Sequence, residues 1–157
     1  MTPDNTSTMH YELVLAPIGG ELIDAIIRLS EVVFGTADAD HGRWRLTRMP
    51  DVSVWTLTEA DELIAFKAGY AMSGTKYYSW LGGVHPEHRR RGIAAELMTR
   101  QHDWLRSRGY ALVETATNQD NHAMARVNLQ HGFSISGMRT AAHANQILFL
   151  KELGETS

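Results

Sequence analysis

The run Tyr77-Tyr78-Ser79-Trp80-Leu81-Gly82-Gly83-Val84-His85-Pro86-Glu87-His88-Arg89-Arg90-Arg91-Gly92-Ile93-Ala94-Ala95-Glu96-Leu97-Met98 decides how the rest of the chain is read. Its first part is aromatic and β-prone, Gly82-Gly83 and Pro86 punctuate it, and Ile93, Leu97, Met98, Trp104 and Leu105 then return at helical spacing. The pattern predicts a strand, a tight turn and a helix that the turn opens directly. The first amides of a helix lack partners inside it, and the helix dipole places partial positive charge there. Such an end takes anions, phosphate above all. Gly92 lets backbone come close to a ligand, and Ala94 and Ala95 are too small to obstruct it. The plain alternative for Arg89, Arg90 and Arg91 is a solvated basic run. Cations sit poorly at the positive end of a helix, however, and a bound polyanion relieves that repulsion.

Upstream, Met1 to His10 is polar and aperiodic and is expected to be a frayed tail. Residues 11–153 then read as one domain. Tyr11 to Leu15 alternates as a strand, and a helix follows Gly19-Gly20 as far as Phe34, with Gly35 as its C-cap. Asp38 to Arg48 is a second, short helix. Val52 to Thr58 and Leu63 to Ala71 are strands joined by the acidic turn Glu59-Ala60-Asp61-Glu62, and Gly74 turns the chain into Lys76 to Val84. The order of Gly69, Gly74, Thr75 and Lys76 is wrong for a nucleotide-binding P-loop, and a strand follows rather than a helix. Downstream, the central helix ends near Arg108-Gly109 and Tyr110 to Thr115 is a strand, expected parallel to 77–84. Asn121 to His131 is a helix offering Met124, Val127 and Leu129 for packing, and Phe133 to Arg139 and Asn145 to Glu152 form a final antiparallel pair.

Bulk composition narrows the function classes. The chain has 157 residues, 43% hydrophobic and 21% charged, with a net charge of −3. This is ordinary for a soluble globular domain. The arginine run is thus a local feature of a mildly acidic protein, and no nucleic-acid partner is expected. With no cysteine, disulfides, thiolate zinc sites and cysteine nucleophiles are excluded. No apolar run approaches the ~20 residues that span a bilayer, and no signal peptide is visible, so a cytoplasmic location without membrane contact is expected.

Arg89-Arg90-Arg91-Gly92-Ile93-Ala94, preceded by Leu81-x-x-Val84-x-Pro86, resembles the acyl-CoA binding motif of the GNAT (Gcn5-related N-acetyltransferase) superfamily, Arg/Gln-x-x-Gly-x-Gly/Ala. A second stretch, Asn121-His122-Ala123-Met124-Ala125-Arg126-Val127-Asn128-Leu129-Gln130-His131-Gly132-Phe133, resembles that family's Asn-x-x-Ala/Met-x-x-x-Tyr-x-x-x-Gly-Phe. The resemblance implies the GNAT fold. That is an α/β (α+β) domain with a mixed central sheet of about six to seven strands, splayed in the middle, and helices on both faces. It implies an N-acetyltransferase that moves an acetyl group from acetyl-CoA to a primary amine of a small molecule or peptide, with no metal. A non-catalytic acyl-CoA-binding module is the competing expectation. The first two helices would wall the acceptor side, and a homodimer through the last strands is a recurrent family arrangement.

On the same footing, acetyl-CoA would be held by Gly83, Val84, Arg89, Arg90, Arg91, Gly92, Ile93, Ala94, Ala95, Asn121 and Asn128. The pantetheine arm would enter the splay as a pseudo-strand, and Gly82-Gly83 would form the bulge that opens it. The Val84 amide would donate to the thioester oxygen, a contact worth ~3 kcal/mol. Asn121 also suits a helix N-cap. Asn128 stands where the family commonly has a tyrosine acid; a carboxamide can only donate a hydrogen bond to sulfur. An ordinary thiol has a pKa of ~8.5, so its thiolate leaves with little help.

An alkyl ammonium with a pKa of ~10 must lose its proton before attack, so a base is expected. Tyr78 and Ser79 occupy the region where many members place a glutamate. Glu114 in Leu112-Val113-Glu114-Thr115 matches the glutamate of a peptide N-terminal acetylating branch and is the first candidate. His85 is the second, although it equally suits a turn before Pro86, and Tyr78 could relay a proton through water. His85-x-x-His88 with an intervening proline is poor zinc spacing.

Overall fold

The structure, a computed structural model, describes residues 8–35, 38–140 and 144–154. In chain order the elements are β1 (Met9–Leu15), α1 (Gly20–Phe34), α2 (Ala39–Arg48), β2 (Ser53–Glu59), β3 (Glu62–Ala71), β4 (Lys76–Val84), a 3-10 turn (Pro86–His88), α3 (Ile93–Ser107), β5 (Leu112–Asn118), α4 (His122–Gln130), β6 (Ser134–Thr140) and β7 (Asn145–Glu152). The seven strands form one mixed sheet in the order β1-β2-β3-β4-β5-β7-β6. Only β4 and β5 run parallel; the remaining described pairs are antiparallel. Of the expected tail, Met9 and His10 prove to be strand residues, because their backbone pairs with Glu59 and Thr58. Residues 1–7 lie outside the described part. β5 also starts and ends later than expected, since Tyr110 and Ala111 belong to the turn and β7 pairs with β5 as far as Asn118.

Helices cover both faces. Ile23, Ile26 and Ile27 of α1 and Leu46 of α2 pack on Val54, Phe66, Ala68 and Tyr78. On the opposite face Met98 and Leu105 of α3 meet Tyr77, Val113 and Phe149, with Met124 and Val127 of α4 alongside. Leu129, expected to pack, is 51% exposed, because it falls on the outer side of α4. Tyr77 locks the second layer. Its ring meets Trp104 and Tyr110 edge-on, and its hydroxyl bonds to Ser53 Oγ at 2.5 Å and donates to the Asp51 carbonyl at 3.0 Å. Among the described residues no helix is long and apolar enough to cross a membrane.

Two features of β4 shape everything nearby. It pairs with β5 only from Lys76–Leu112 to Ser79–Thr115, after which the two strands part. On its other side the register against β3 slips between Ala68–Leu81 and Gly69–Ser79, leaving Trp80 as the extra residue of a bulge. The bulge was expected at Gly82-Gly83, which instead stay in register opposite Lys67 and Phe66. Those glycines serve close approach. A Cβ at Gly82 would lie 3.3 Å from the Phe66 carbonyl oxygen, and one at Gly83 would lie 3.2 Å from Val33 of α1. The bulge depends on Gly69, where a Cβ would meet both the Tyr78 carbonyl oxygen and the Tyr77 ring at 2.6 Å.

Neither of those neighbours can yield cheaply, one being backbone and the other a fully buried ring. Gly69→Ala is therefore expected to destabilise the protein by about 1–3 kcal/mol through overpacking. Gly74→Ala, where a Cβ meets nothing within 4 Å, should stay within about 0.5 kcal/mol of the parent. Urea melts of the two variants check the contrast.

Candidate active site

The turn between β4 and α3 is built to leave amides free. Arg90 and Gly92 adopt left-handed backbone, at φ 65° and 73°. Gly92 is the N-cap of α3 and supplies no side-chain cap. The first backbone bond of the helix runs from Glu96 N–H to the Gly92 carbonyl at 3.0 Å, and no amide from Arg89 to Ala95 finds a protein acceptor among the described residues. Arg89, Arg90, Arg91, Gly92 and Ala94 are exposed, Ala95 is half-buried and Ile93 anchors the turn in the core. No carboxylate among the described residues pairs with the three arginines. Free amides, a helix dipole and three guanidiniums without a carboxylate partner among the described residues thus share one open surface, the electrostatics of an anion site.

The gap between β4 and β5 leads away from this surface. His85 N–H donates to the Ile64 carbonyl at 2.8 Å, toward β3. Alternation along an extended strand turns the preceding amide, that of Val84, to the open side. Gly83 and Val84 line the parted segment, and Arg89 Nε donates to the Val84 carbonyl at 3.4 Å. Asn121 caps α4, its side-chain oxygen accepting from Met124 N–H at 3.1 Å, which leaves its NH2 free. Asn128 is fully buried. Its amide donates to Thr117 Oγ1 of β5 at 3.1 Å, and its oxygen has no partner. A side chain without exposed surface thus ties α4 to β5.

Glu114 lies in the paired part of β5 opposite Tyr78, on the face covered by α1 and α2. Its carboxylate is 3.7 Å from Lys76 Nζ, and its side chain is 13% exposed. Near it, the Tyr78 hydroxyl accepts from Arg139 Nη2 at 3.0 Å, and the Arg45 guanidinium stacks over Tyr70 and Trp80. His85 acts as a turn residue, its Nδ1 accepting from Glu87 N–H at 3.1 Å. Among the described residues no group of three or more His, Asp or Glu converges on a metal-sized point.

Sequence reasoning missed the polar groups beneath α3. Gln101 and His102 are buried, and both amide atoms of Gln101 and Nε2 of His102 lack partners. Burial and the nearby Lys151 push the His102 pKa down to about 2, so this imidazole stays neutral and is no base. Lys67, opposite Gly82 on the same face, has no hydrogen-bond or ion-pair partner among the described residues, and its stem passes 3.6 Å from where a Cβ of Gly82 would be. Enclosure lowers its pKa to about 8. One lysine in a β-pattern carries no signal of this.

The family model described as Acetyltransferase (GNAT) family matches residues 20–133. No curated protein matches the chain in sequence. Among solved structures, the chain is similar to the ribosomal-protein-S18-alanine N-acetyltransferase from Escherichia coli, at TM-score 0.79 and 14% identity over 94% of this chain and 97% of that one. It is also similar to a GNAT family acetyltransferase from Elizabethkingia anophelis with acetyl-CoA bound, at 0.72 and 11% over 92% and 97%. Arabidopsis thaliana NAA60 in complex with a bisubstrate analogue aligns at 0.74 and 16% over 92% and 98%. At these identities the likeness speaks for the fold.

The lowered pKa of Lys67 makes stability depend on pH with a definite sign. Below about pH 8 the folded state carries a half-buried cation, without a partner among the described residues, that the unfolded chain solvates freely. Between that pKa and the ordinary 10.5 the unfolded chain binds the extra proton, so this group makes stability rise with pH. Lys67→Met is expected to be more stable than the parent near neutrality, with the gap closing toward pH ~10. Urea midpoints of both proteins across that range check it.

Proposed function

The chain belongs to the GNAT acetyltransferase family, and on that premise we propose that it is an N-acetyltransferase acting on a primary amine of a small molecule or peptide. The observation that carries the reading is the open run of unpartnered amides from Arg89 to Ala95 at the head of α3, beside a gap between β4 and β5. When bound, acetyl-CoA supplies an activated acetyl thioester. The amides of Ile93, Ala94 and Ala95 with Arg89, Arg90 and Arg91 would hold its diphosphate, Gly83 and the NH2 of Asn121 its arm, and Val84 N–H its carbonyl oxygen. Such a donor is worth ~3 kcal/mol when it acts on charge developing in the reaction.

Glu114 takes the acceptor's proton. It is the carboxylate on the α1/α2 face at the end of the β4–β5 ladder, where an amine approaching from that face would arrive. Lys76, 3.7 Å away, pairs with it and restricts its rotamers. The catalytic expectation for Asn128 becomes a positioning one, because its buried amide ties α4 to Thr117 of β5 and so helps set the far wall of the gap. The leaving thiolate then departs without a dedicated acid, as its low basicity permits. A peptide acceptor is supported by the peptide N-terminal acetylating branch that Glu114 resembles. A homodimer through the last strands is supported by edge strand β6, where Ile135 and Met138 are 60% and 62% exposed.

A panel of amines and short peptides incubated with acetyl-CoA, read by free-thiol release, tests the reading. Release above hydrolysis with at least one amine is expected; binding without release for every amine would establish a non-catalytic acyl-CoA-binding module instead. Gly92→Asp should weaken acetyl-CoA binding by more than ~100-fold, through the side chain and negative charge it places against the diphosphate. Glu114→Gln should lower turnover by about 10²–10⁴-fold with acetyl-CoA affinity intact. Calorimetric titration separates the two effects.

A further inference from the structure

Gly42 stands in the middle of α2, where glycine weakens a helix relative to alanine. Glycines inside helices usually permit a close approach, as Gly83 does in β4. Gly42 does not: a Cβ there would meet nothing within 4 Å. What it borders is a cavity of about 260 Å³ walled by Ile26 and Ile27 of α1, Leu46 of α2, and Trp80 and Leu81 of β4, with the exposed Asp38 and His41 at its opening. The hydroxyl of Ser30, which also reaches it, is spent on the Ile26 carbonyl at 2.7 Å and offers little to a polar guest. The floor is unusual for a strand, since Trp80 and Leu81 are consecutive yet both pack with the α1/α2 layer. The bulge at Trp80 causes this by breaking the alternation of sides. It does so one residue past Ser79, the last β4 residue paired with β5, so the cavity adjoins the mouth of the gap on the face that carries Glu114.

We propose that this cavity receives the side chain of the acceptor, that Gly42 keeps it open, and that the acceptor class is therefore an amine bearing a compact apolar group next to the nitrogen, a branched aliphatic chain or a single aromatic ring. The inference rests on the acetyl-transfer reading above and specifies its substrate. Size admits the group. A cavity of ~150 Å³ already accepts benzene, so 260 Å³ takes one ring or a leucine-like chain with room to spare. Apolar walls set the chemistry: a charged substituent between them would be stripped of water, and the polar side chains at the opening are exposed, with the Asp38 carboxylate already accepting from His41 N–H at 3.1 Å as the cap of α2.

The test uses Gly42→Leu, which fills the space from a helix that tolerates it, and Gly42→Ala as a milder variant. Gly42→Ala should raise Tm by about 2–4 °C, and Gly42→Leu should melt no lower than the parent, so folding is not in question. Two ligands are compared, 2-phenylethylamine and ethylamine, alongside tetrapeptides beginning with Leu, Gly or Asp. In the parent, KM for the phenyl and leucyl acceptors should be at least tenfold below that for ethylamine and the Gly and Asp peptides. Gly42→Leu should erase that advantage while leaving ethylamine turnover within about threefold. A parent with no such preference, or a variant that loses both classes equally, overturns the proposal. If no amine is turned over at all, the acetyl-transfer reading falls by itself, and the cavity is judged by binding. Perturbation of the Trp80 indole resonance by 2-phenylethylamine, lost in Gly42→Leu, upholds it, and an unperturbed indole in the parent overturns it.

Discussion

The structure depends on a place where a β-ladder stops. A backbone strand edge in the middle of a sheet is costly to leave bare, because its amides and carbonyls must find water or a ligand. Here β4 and β5 stay together for a short parallel stretch and then part, while β4 keeps its partner β3 on the other side. The bulge at Trp80 is what lets β4 change direction without losing β3, and the bulge exists because Gly69 offers no Cβ to the Tyr78 carbonyl. One glycine on β3 thus decides the course of a neighbouring strand. From that course follow the gap, the aim of the Val84 amide and the floor of the cavity under Gly42.

The two faces of the sheet have taken different chemistry from the same strands. Toward α1 and α2, Tyr70, Tyr78 and Trp80 are stacked with Arg45 and Arg139, cations stabilised on aromatic faces, with Glu114 close by. Toward α3, Gln101 and His102 are buried with unsatisfied polar atoms, and the half-buried Lys67 shares their layer. Leaving buried donors and acceptors unpaired costs stability. Their concentration between α3 and the sheet sets this layer apart from the apolar packing of Met98, Leu105 and Phe149 close to it.

Much of this was legible in the residues, and the rest was illegible for physical reasons. The strand, turn and helix around Gly92 could be read because each element carries its own period and the turn its own punctuation. Asn121 was readable as a cap because an amide oxygen at that place has one local job. The bulge was assigned to Gly82-Gly83 because a glycine in a strand signals either a bulge or a close approach, and only the neighbouring carbonyl and Val33 distinguish them. The burial of Asn128 and its bond to Thr117 were not readable, because helical spacing does not say how deeply a face is buried. Lys67 and the cavity were invisible: both arise from residues far apart in the chain, and a lone lysine or a lone helical glycine is commonplace.

The shortness of the shared β4–β5 ladder has a mechanical side. Four rungs weld a four-strand plate, β1 to β4, to a three-strand plate, β5 to β7. Stiffness across a sheet comes from the number of such rungs, so this seam is its most compliant line. α3 lies over it as a splint, with Ile93 and Leu97 bolted to the first plate and Leu105 to the second. Bending of the molecule is thereby channelled into rocking of one plate against the other about the foot of the crack, which widens or narrows the opening while leaving both plates intact.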